Sequence, residues 1–115
     1  MKIGIKYQDD YIEYIFNLFE NIYDYNKVIY INCNLNNFRL SLLPQLPNSL
    51  VELNCDFNQL IELPELPNSL QSLYCLNNQL TSLPELPNSL KRIYCHNNKF
   101  IEKIKHKYLI KIIYM

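Results

Sequence analysis

Apolar and polar residues alternate around each cysteine of this chain, and the pattern recurs at a constant spacing from Cys55 to Cys75 to Cys95. LxxLxCxxNxL fits residues 50–60 and returns at residues 70–80 and, with isoleucine and phenylalanine in two leucine positions, at residues 90–100. A degenerate earlier copy occupies residues 28–38. Alternation with a period of two predicts a short strand that buries one of its faces. We therefore predict four strand units.

Proline-rich segments separate these units. LPNSL occurs at residues 46–50, 66–70 and 86–90, and all six prolines lie in three copies of LPxLP. Proline fixes its own backbone near polyproline II geometry and keeps the preceding residue extended, so these segments cannot be helical. A chain that completes one turn per repeat stacks its strands in parallel. Leu60, Leu63 and Leu66 would then fill the interior from the proline-bearing side.

These residues and spacings resemble the leucine-rich repeat family, specifically the short, 20-residue class of bacterial effector proteins, LxxLxCxxNxLxxLPxLPxx. The resemblance covers residues 28–100. It implies an α/β fold, a short leucine-rich-repeat solenoid with parallel strands on its concave face and polyproline-like convex segments. Similar arrays occur in giant DNA viruses, and a high content of Asn, Ile, Tyr and Lys is typical of AT-rich coding, which favours a viral protein.

Asparagine recurs after each predicted strand, at Asn36, Asn58, Asn78 and Asn98. The backbone turns inward there and leaves amide groups that need partners away from water. Because a side-chain amide both donates and accepts hydrogen bonds, asparagine can bridge adjacent turns. In the family this column is the asparagine ladder, and we expect it here.

The four cysteines, at positions 33, 55, 75 and 95, share one slot of the repeat. Ligands strung along a line of about 15 Å cannot converge on one tetrahedral zinc ion. Disulfides between neighbouring turns are sterically closer, since Cα separations of about 5 Å are allowed, but both sulfur atoms would have to turn along the stack. We expect reduced, buried thiols that replace leucine, and no metal.

The flanks should cap the array, because four turns alone would expose an apolar end and a strand edge. Residues 1–7 alternate like a short strand. Residues 9–25 carry apolar residues in helical phase behind Asp9 or Asp10, with Glu13 as a capping-box partner, which predicts an amphipathic helix. Its apolar arc is wide enough to leave part of it for a partner chain. We predict an N-terminal cap at residues 1–27, four repeats at residues 28–100 and a C-terminal cap at residues 101–115, which fits either a helix or a strand.

Charge disfavours several kinds of partner. Eleven basic and eleven acidic residues cancel, so no long-range field draws the chain to nucleic acid or to an anionic membrane. No apolar run is long enough to span a membrane, and no secretory signal is present, so we expect a cytoplasmic location, which for an effector includes the host cytoplasm. Residues 1–26 nevertheless carry a net charge of −3 and residues 99–115 one of +4. These ends are either two solvated caps or surfaces through which two chains meet.

Catalysis is not expected. His96 directly follows Cys95 and would lie on the opposite face of a strand, so the two cannot form a nucleophile and its base. Bacterial effectors with this repeat carry ubiquitin-ligase activity in a separate domain with a Cys-x-Asp motif, which this sequence lacks. We expect no catalytic residues and no cofactor.

The exposed strand positions form the candidate binding surface. They become aromatic and basic toward the C-terminal repeats, and tyrosine and arginine commonly anchor protein interfaces. We expect a protein partner to contact Tyr74, Leu76, Arg92, Tyr94 and His96; the other possibility is a solvated face without a partner. Four strands expose about 150 to 250 Å², below the ~800 Å² per side of a stable interface. We therefore predict a noncatalytic protein-protein interaction module that forms a homodimer; the alternative is a purely structural or decoy assembly protein of a virus or intracellular bacterium.

Overall fold

One sheet of six strands organises this computed structural model, which describes residues 1–10, 12–34 and 39–100. The strands are β1, Ile3–Tyr7; β2, Tyr14–Phe16; β3, Val28–Asn32; β4, Glu52–Asn54; β5, Ser72–Tyr74; and β6, Arg92–Tyr94. Two short 3-10 helices, Phe19–Asn21 and Tyr25–Lys27, lie between β2 and β3. The spatial order is β2-β1-β3-β4-β5-β6, so the N-terminal strands extend the sheet of the repeats.

The four predicted strand units form the parallel part of the sheet, β3 to β6. Glu52 pairs with Ser72, and Ser72 pairs with Arg92, so each repeat moves the chain by one strand. Leu53 and Leu73, at the alternate positions, have no exposed surface. The prediction of parallel strands, one for each repeat, is therefore confirmed. We call the side of the sheet that faces away from the core the open face.

The core lies between the sheet and the proline-bearing segments. Leu60 and Leu80 have no exposed surface, and Leu63 and Leu66 are also buried, as the repeat predicts. The proline segments contain neither helix nor strand. Each PNSL sequence closes in a turn whose last backbone N–H donates to the proline carbonyl at 3.1 Å, at Leu50, Leu70 and Leu90. The chain thus reverses direction here without glycine, because proline has already restricted the backbone.

The predicted N-terminal helical cap is wrong. Among residues 1–10 and 12–27 no α-helix occurs, and β2 and the two 3-10 helices take its place. Tyr14, Ile15 and Phe16 pair antiparallel with β1, whose prediction as a short strand is confirmed. Aromatic and β-branched side chains favour extended backbone and lose rotamer freedom in a helix. Pairing with the edge of β1 therefore outweighs the helical spacing of the apolar residues.

The acidic residues expected to cap that helix have other partners. Asp10 accepts hydrogen bonds from the backbone N–H of Ile12 at 3.2 Å and from the hydroxyl of Tyr14 at 2.9 Å, and it thereby stabilises the turn between β1 and β2. The carboxyl group of Glu13 lies against Gly4, where a Cβ would stand 3.0 Å from it. The one glycine of the chain thus makes room for this side chain.

Two predictions fall outside the described residues. Asn36, the first expected member of the asparagine ladder, belongs to residues 35–38, and the C-terminal cap occupies residues 101–115. The boundaries between caps and repeats stay predictions.

Candidate functional site

Asparagine side chains connect each repeat to the one before it. Nδ2 of Asn78 donates to the backbone carbonyls of Cys55 at 3.0 Å and Cys75 at 3.2 Å, and its Oδ1 accepts from the N–H of Leu60 at 3.1 Å. Asn58 and Asn98 bind the equivalent groups around them. One side chain thus satisfies backbone groups of two adjacent repeats. This column holds the ends of the strands that carry the open face.

A second ladder, made of serine hydroxyls, runs along the proline-bearing side. Each hydroxyl donates to a backbone carbonyl of the preceding repeat: Ser49 to Val28 at 2.6 Å, Ser69 to Leu50 at 2.6 Å and Ser89 to Leu70 at 2.7 Å. These contacts were not predicted. The signal was present, because serine recurs at the same position of every LPNSL segment.

The four cysteines are buried, as expected for residues that replace leucine. Burial raises the pKa of the Cys33 thiol to about 12 and raises the pKa of Cys55 well above its usual value. A hydrogen bond between Cys75 and Cys95 raises the pKa of Cys75 and lowers that of Cys95. A protonated, buried thiol is a poor nucleophile and a poor metal ligand. The thiols of Cys33, Cys55 and Cys75 therefore serve packing.

The predicted partner-binding residues lie together at the C-terminal end of the open face. The rings of Tyr74 and Tyr94 stack in parallel with their centroids 5.0 Å apart, because the two residues pair across β5 and β6. Arg92 and His96 are exposed, and Leu76 is half-buried. The structure thus brings two aromatic rings and a guanidinium group onto neighbouring positions of one surface.

Cys95 and His96 differ sharply in exposure. Cys95 is 1% exposed, whereas the next residue, His96, is exposed. The thiol belongs to the core and the imidazole to the solvent side, so the two groups are not arranged as a nucleophile and its base.

The open face extends beyond the repeats onto β1 and β2, which was not predicted. Gly4 pairs with Asn32 on one side and with Ile15 on the other, so Ile15 shares the open face. Nζ of Lys6 lies 4.7 Å from the centroid of the Tyr30 ring, a cation-π contact across β1 and β3. The alternation along β1 was visible in the sequence, but its position beside β3 was not. In the part of the chain that the structure describes, six strands rather than four therefore carry this face.

A buried carboxyl group and an exposed ring follow β4. Asp56 accepts a hydrogen bond from the N–H of Leu76 at 2.7 Å. Burial raises the pKa of Asp56, although this hydrogen bond acts in the opposite direction. Phe57 is 53% exposed and has a φ of 58°, in the left-handed region, where Asn77 and Asn97 occupy the equivalent positions with a φ of 57°. Asparagine adopts this backbone more readily than phenylalanine, so Phe57 adds an exposed ring to the rim of the open face at a cost in stability.

Neither a metal-binding cluster nor a long apolar helix occurs in the described part of the chain. Within residues 1–10, 12–34 and 39–100, no group of three or more His, Cys, Asp or Glu side chains is placed to hold a metal ion. The helices in the same ranges are too short to cross a bilayer.

Comparisons with known proteins agree with this geometry. Residues 69–108 match the family model for leucine rich repeats in two copies. The structure is similar to the leucine-rich repeat domain of a Shigella effector, with 40% sequence identity and a TM-score of 0.55. The similarity covers 60% of this chain and 31% of that one, so this chain spans less than a third of the Shigella domain structure. The comparison with curated proteins gives no match.

Proposed function

We propose that this chain, in which residues 69–108 match the family model for leucine rich repeats, is a noncatalytic module that binds a protein partner on its open face. The observation that carries this proposal is the stacked pair of Tyr74 and Tyr94 beside the exposed Arg92. Tyrosine and arginine supply much of the binding energy in protein interfaces, because they combine large apolar area with polar groups. Leu76 and His96 complete the proposed contact surface.

The two sides of the sheet differ in how strictly their residues repeat, and this difference supports the open face as the binding surface. The core side repeats the same residue types, whereas equivalent positions of the open face differ, as in Glu52, Ser72 and Arg92. A surface that only had to remain solvated would need no stacked aromatic pair. Variation on a constant scaffold is how a repeat protein acquires specificity for one partner.

The size of the open face limits what one copy can bind. Six strands at about 4.8 Å, each exposing about 10 Å of its length, give about 300 Å², against ~800 Å² per side for a stable interface. We therefore include self-association as a homodimer in the proposal, because two copies would present a larger surface. We also propose that the repeats form one continuous solenoid. We further propose that the chain is located in the cytoplasm, including that of a host cell.

Affinity capture from the native cell tests the binding surface. A double variant, Tyr74→Ala with Arg92→Glu, should lose at least nine-tenths of a captured partner relative to the unchanged chain. The matched control is Glu85→Arg, which reverses an exposed charge on the proline-bearing side and should retain the partner. Circular dichroism and thermal unfolding verify that both variants fold. Equal capture by all three chains would contradict binding through the open face, and no partner in any of them would favour the structural or decoy alternative.

A further inference from the structure

The outer edge of β2 is an interaction surface separate from the proposed partner-binding residues. Among the described residues, β2 ends the sheet, so no strand pairs with it on the side away from β1. Such an edge is a template for another strand, and soluble proteins usually block it with charges, prolines or a covering segment. Here Ile12, Ile15 and Leu18 surround the edge and are 59%, 51% and 44% exposed.

We propose that a second copy of this chain occupies this edge, with β2 pairing antiparallel to β2 about a two-fold axis at Ile15. The inference deepens the proposed self-association and rests on it, since it names the surface through which two copies meet. A two-fold interface uses the same residues on both chains, so its sequence must be complementary to itself.

The residues around Ile15 meet this requirement. In the antiparallel register centred on Ile15, Tyr14 lies opposite the second copy's Phe16, and Glu13 lies opposite the second copy's Asn17. Aromatic cross-strand pairs are favourable, and no like charges lie opposite each other between residues 13 and 17 in this register. Each Ile15 lies opposite its equivalent, so two exposed apolar side chains would cover each other.

The other face of β2 is already ordered for such pairing. The Tyr14 ring lies edge-on to the Tyr7 ring with the two centroids 5.5 Å apart. The Phe16 ring lies edge-on to the Tyr23 ring with the two centroids 5.6 Å apart. Tyr7 and Tyr23 stack on each other at 5.5 Å. Side chains that are fixed before association lose less conformational entropy on binding. The dimer would therefore extend an existing aromatic cluster across the axis.

The proposed geometry also enlarges the binding surface. A two-fold axis perpendicular to the sheet joins the six strands of each copy into one sheet and keeps both open faces on the same side. The combined face would cover about 600 Å², close to the ~800 Å² that a stable interface needs on each side.

The salt dependence of association distinguishes this dimer from an end-to-end association. Residues 1–26 carry a net charge of −3, so two N-terminal ends repel each other and salt should strengthen β2 pairing by screening that repulsion. Contact between the acidic end of one copy and the basic residues 99–115 of another would instead weaken with salt.

Cross-linking and mass measurements test the proposal. Ile15 opposes itself across the axis, at a Cα separation of about 4.5 to 5.5 Å, which a disulfide can bridge. Under mild oxidation, Ile15→Cys should yield a covalent dimer, whereas Leu42→Cys, at a position that is 61% exposed on the proline-bearing side, should not. The native cysteines are buried, so their background reaction is small. Light scattering over a range of concentrations should give twice the 13.8 kDa mass for the unchanged chain and the single mass for Ile15→Lys.

The results of these experiments distinguish β2 pairing from self-association in general. A dimer that persists in Ile15→Lys, or that weakens with salt, would overturn β2 pairing and leave self-association through another surface. A chain that stays monomeric at every concentration would overturn both β2 pairing and self-association. It would not contradict partner binding by Tyr74 and Arg92.

Discussion

Single residues carry the junctions between repeats, and Asn78 satisfies backbone groups of two of them. Replacing Asn78 by alanine leaves these buried groups without partners. We expect Asn78→Ala to lower the free energy of unfolding by roughly 1 to 3 kcal/mol, measured by urea denaturation. Asn68→Ala, on the exposed side of the proline segment, should change it by less than about 0.5 kcal/mol. Equal losses in the two variants would contradict the ladder.

Phe57 has an unfavourable backbone conformation that asparagine relieves. Its φ of 58° is in the left-handed region, where a residue with an ordinary Cβ is strained by about 1 to 2 kcal/mol. We expect Phe57→Asn to raise the free energy of unfolding by about 0.5 to 1 kcal/mol, because the exposed ring buries little area that the change would lose. Ile61→Asn, at a position of similar exposure without a positive φ, is the control and should give no gain. Destabilisation by Phe57→Asn would show that the ring packs more than its exposure indicates.

Residues that occupy the same position in successive repeats could largely be predicted from the sequence, because each of them recurs several times at the same spacing. The buried cysteines and the asparagine column were visible in this way. The left-handed positions were not, since Phe57 hides the preference that Asn77 and Asn97 share. The serine hydroxyls were missed for a different reason: a polar residue in a turn ordinarily indicates solvent rather than a specific acceptor.

Among the elements of the fold, the LPNSL turn is fixed by its serine as well as its proline. Ser69 donates to the carbonyls of Asn48 and Leu50 in the preceding repeat. We expect Ser69→Ala to lower the free energy of unfolding by about 1 kcal/mol, because the Leu50 carbonyl loses a short hydrogen bond. Ser82→Ala, at an exposed position of the same proline-bearing side, is the matched control. A loss no larger than that of Ser82→Ala in thermal unfolding would assign the turn to proline alone.

The N-terminal element shows where local pattern fails. The apolar spacing of residues 12–23 fits a helix, but Tyr14–Phe16 pair with β1, which pairs with β3 on its other side. The helix predicted from local spacing competes with pairing to a strand that lies outside this pattern. A short stretch of sequence shows the spacing but not the neighbouring strand. The same reason explains why the extension of the open face onto β1 and β2 was not predicted, whereas Tyr74 and Arg92 could be placed from repeat phase.

For the whole molecule, the buried thiols make stability depend on alkaline pH. In the folded chain burial raises the pKa of Cys33 to about 12, from a usual value of 9.0, and raises that of Cys55 well above the same usual value. Above pH 9 the unfolded chain therefore binds fewer protons than the folded chain, and stability falls as pH rises. We expect the free energy of unfolding to be constant near neutral pH and to decline between about pH 9 and 12, by up to ~1.4 kcal/mol per pH unit for each of these two thiols.

Urea denaturation at a series of pH values measures this decline. Cys33→Ala removes one titrating group, so its curve should fall less steeply above pH 9, by about one proton, whatever the variant costs in stability at neutral pH. A slope identical to that of the unchanged chain would mean that Cys33 ionises as readily folded as unfolded.

The Cys55 carbonyl accepts hydrogen bonds from Asn58 in its own repeat and from Asn78 in the next, and the Cys75 carbonyl is shared in the same way by Asn78 and Asn98. These two described boundaries are therefore built from the same hydrogen bonds. Insertion or deletion of one whole repeat at these boundaries would preserve the asparagine hydrogen bonds on both sides of the change. Such a change would lengthen or shorten the open face by one strand, about 4.8 Å.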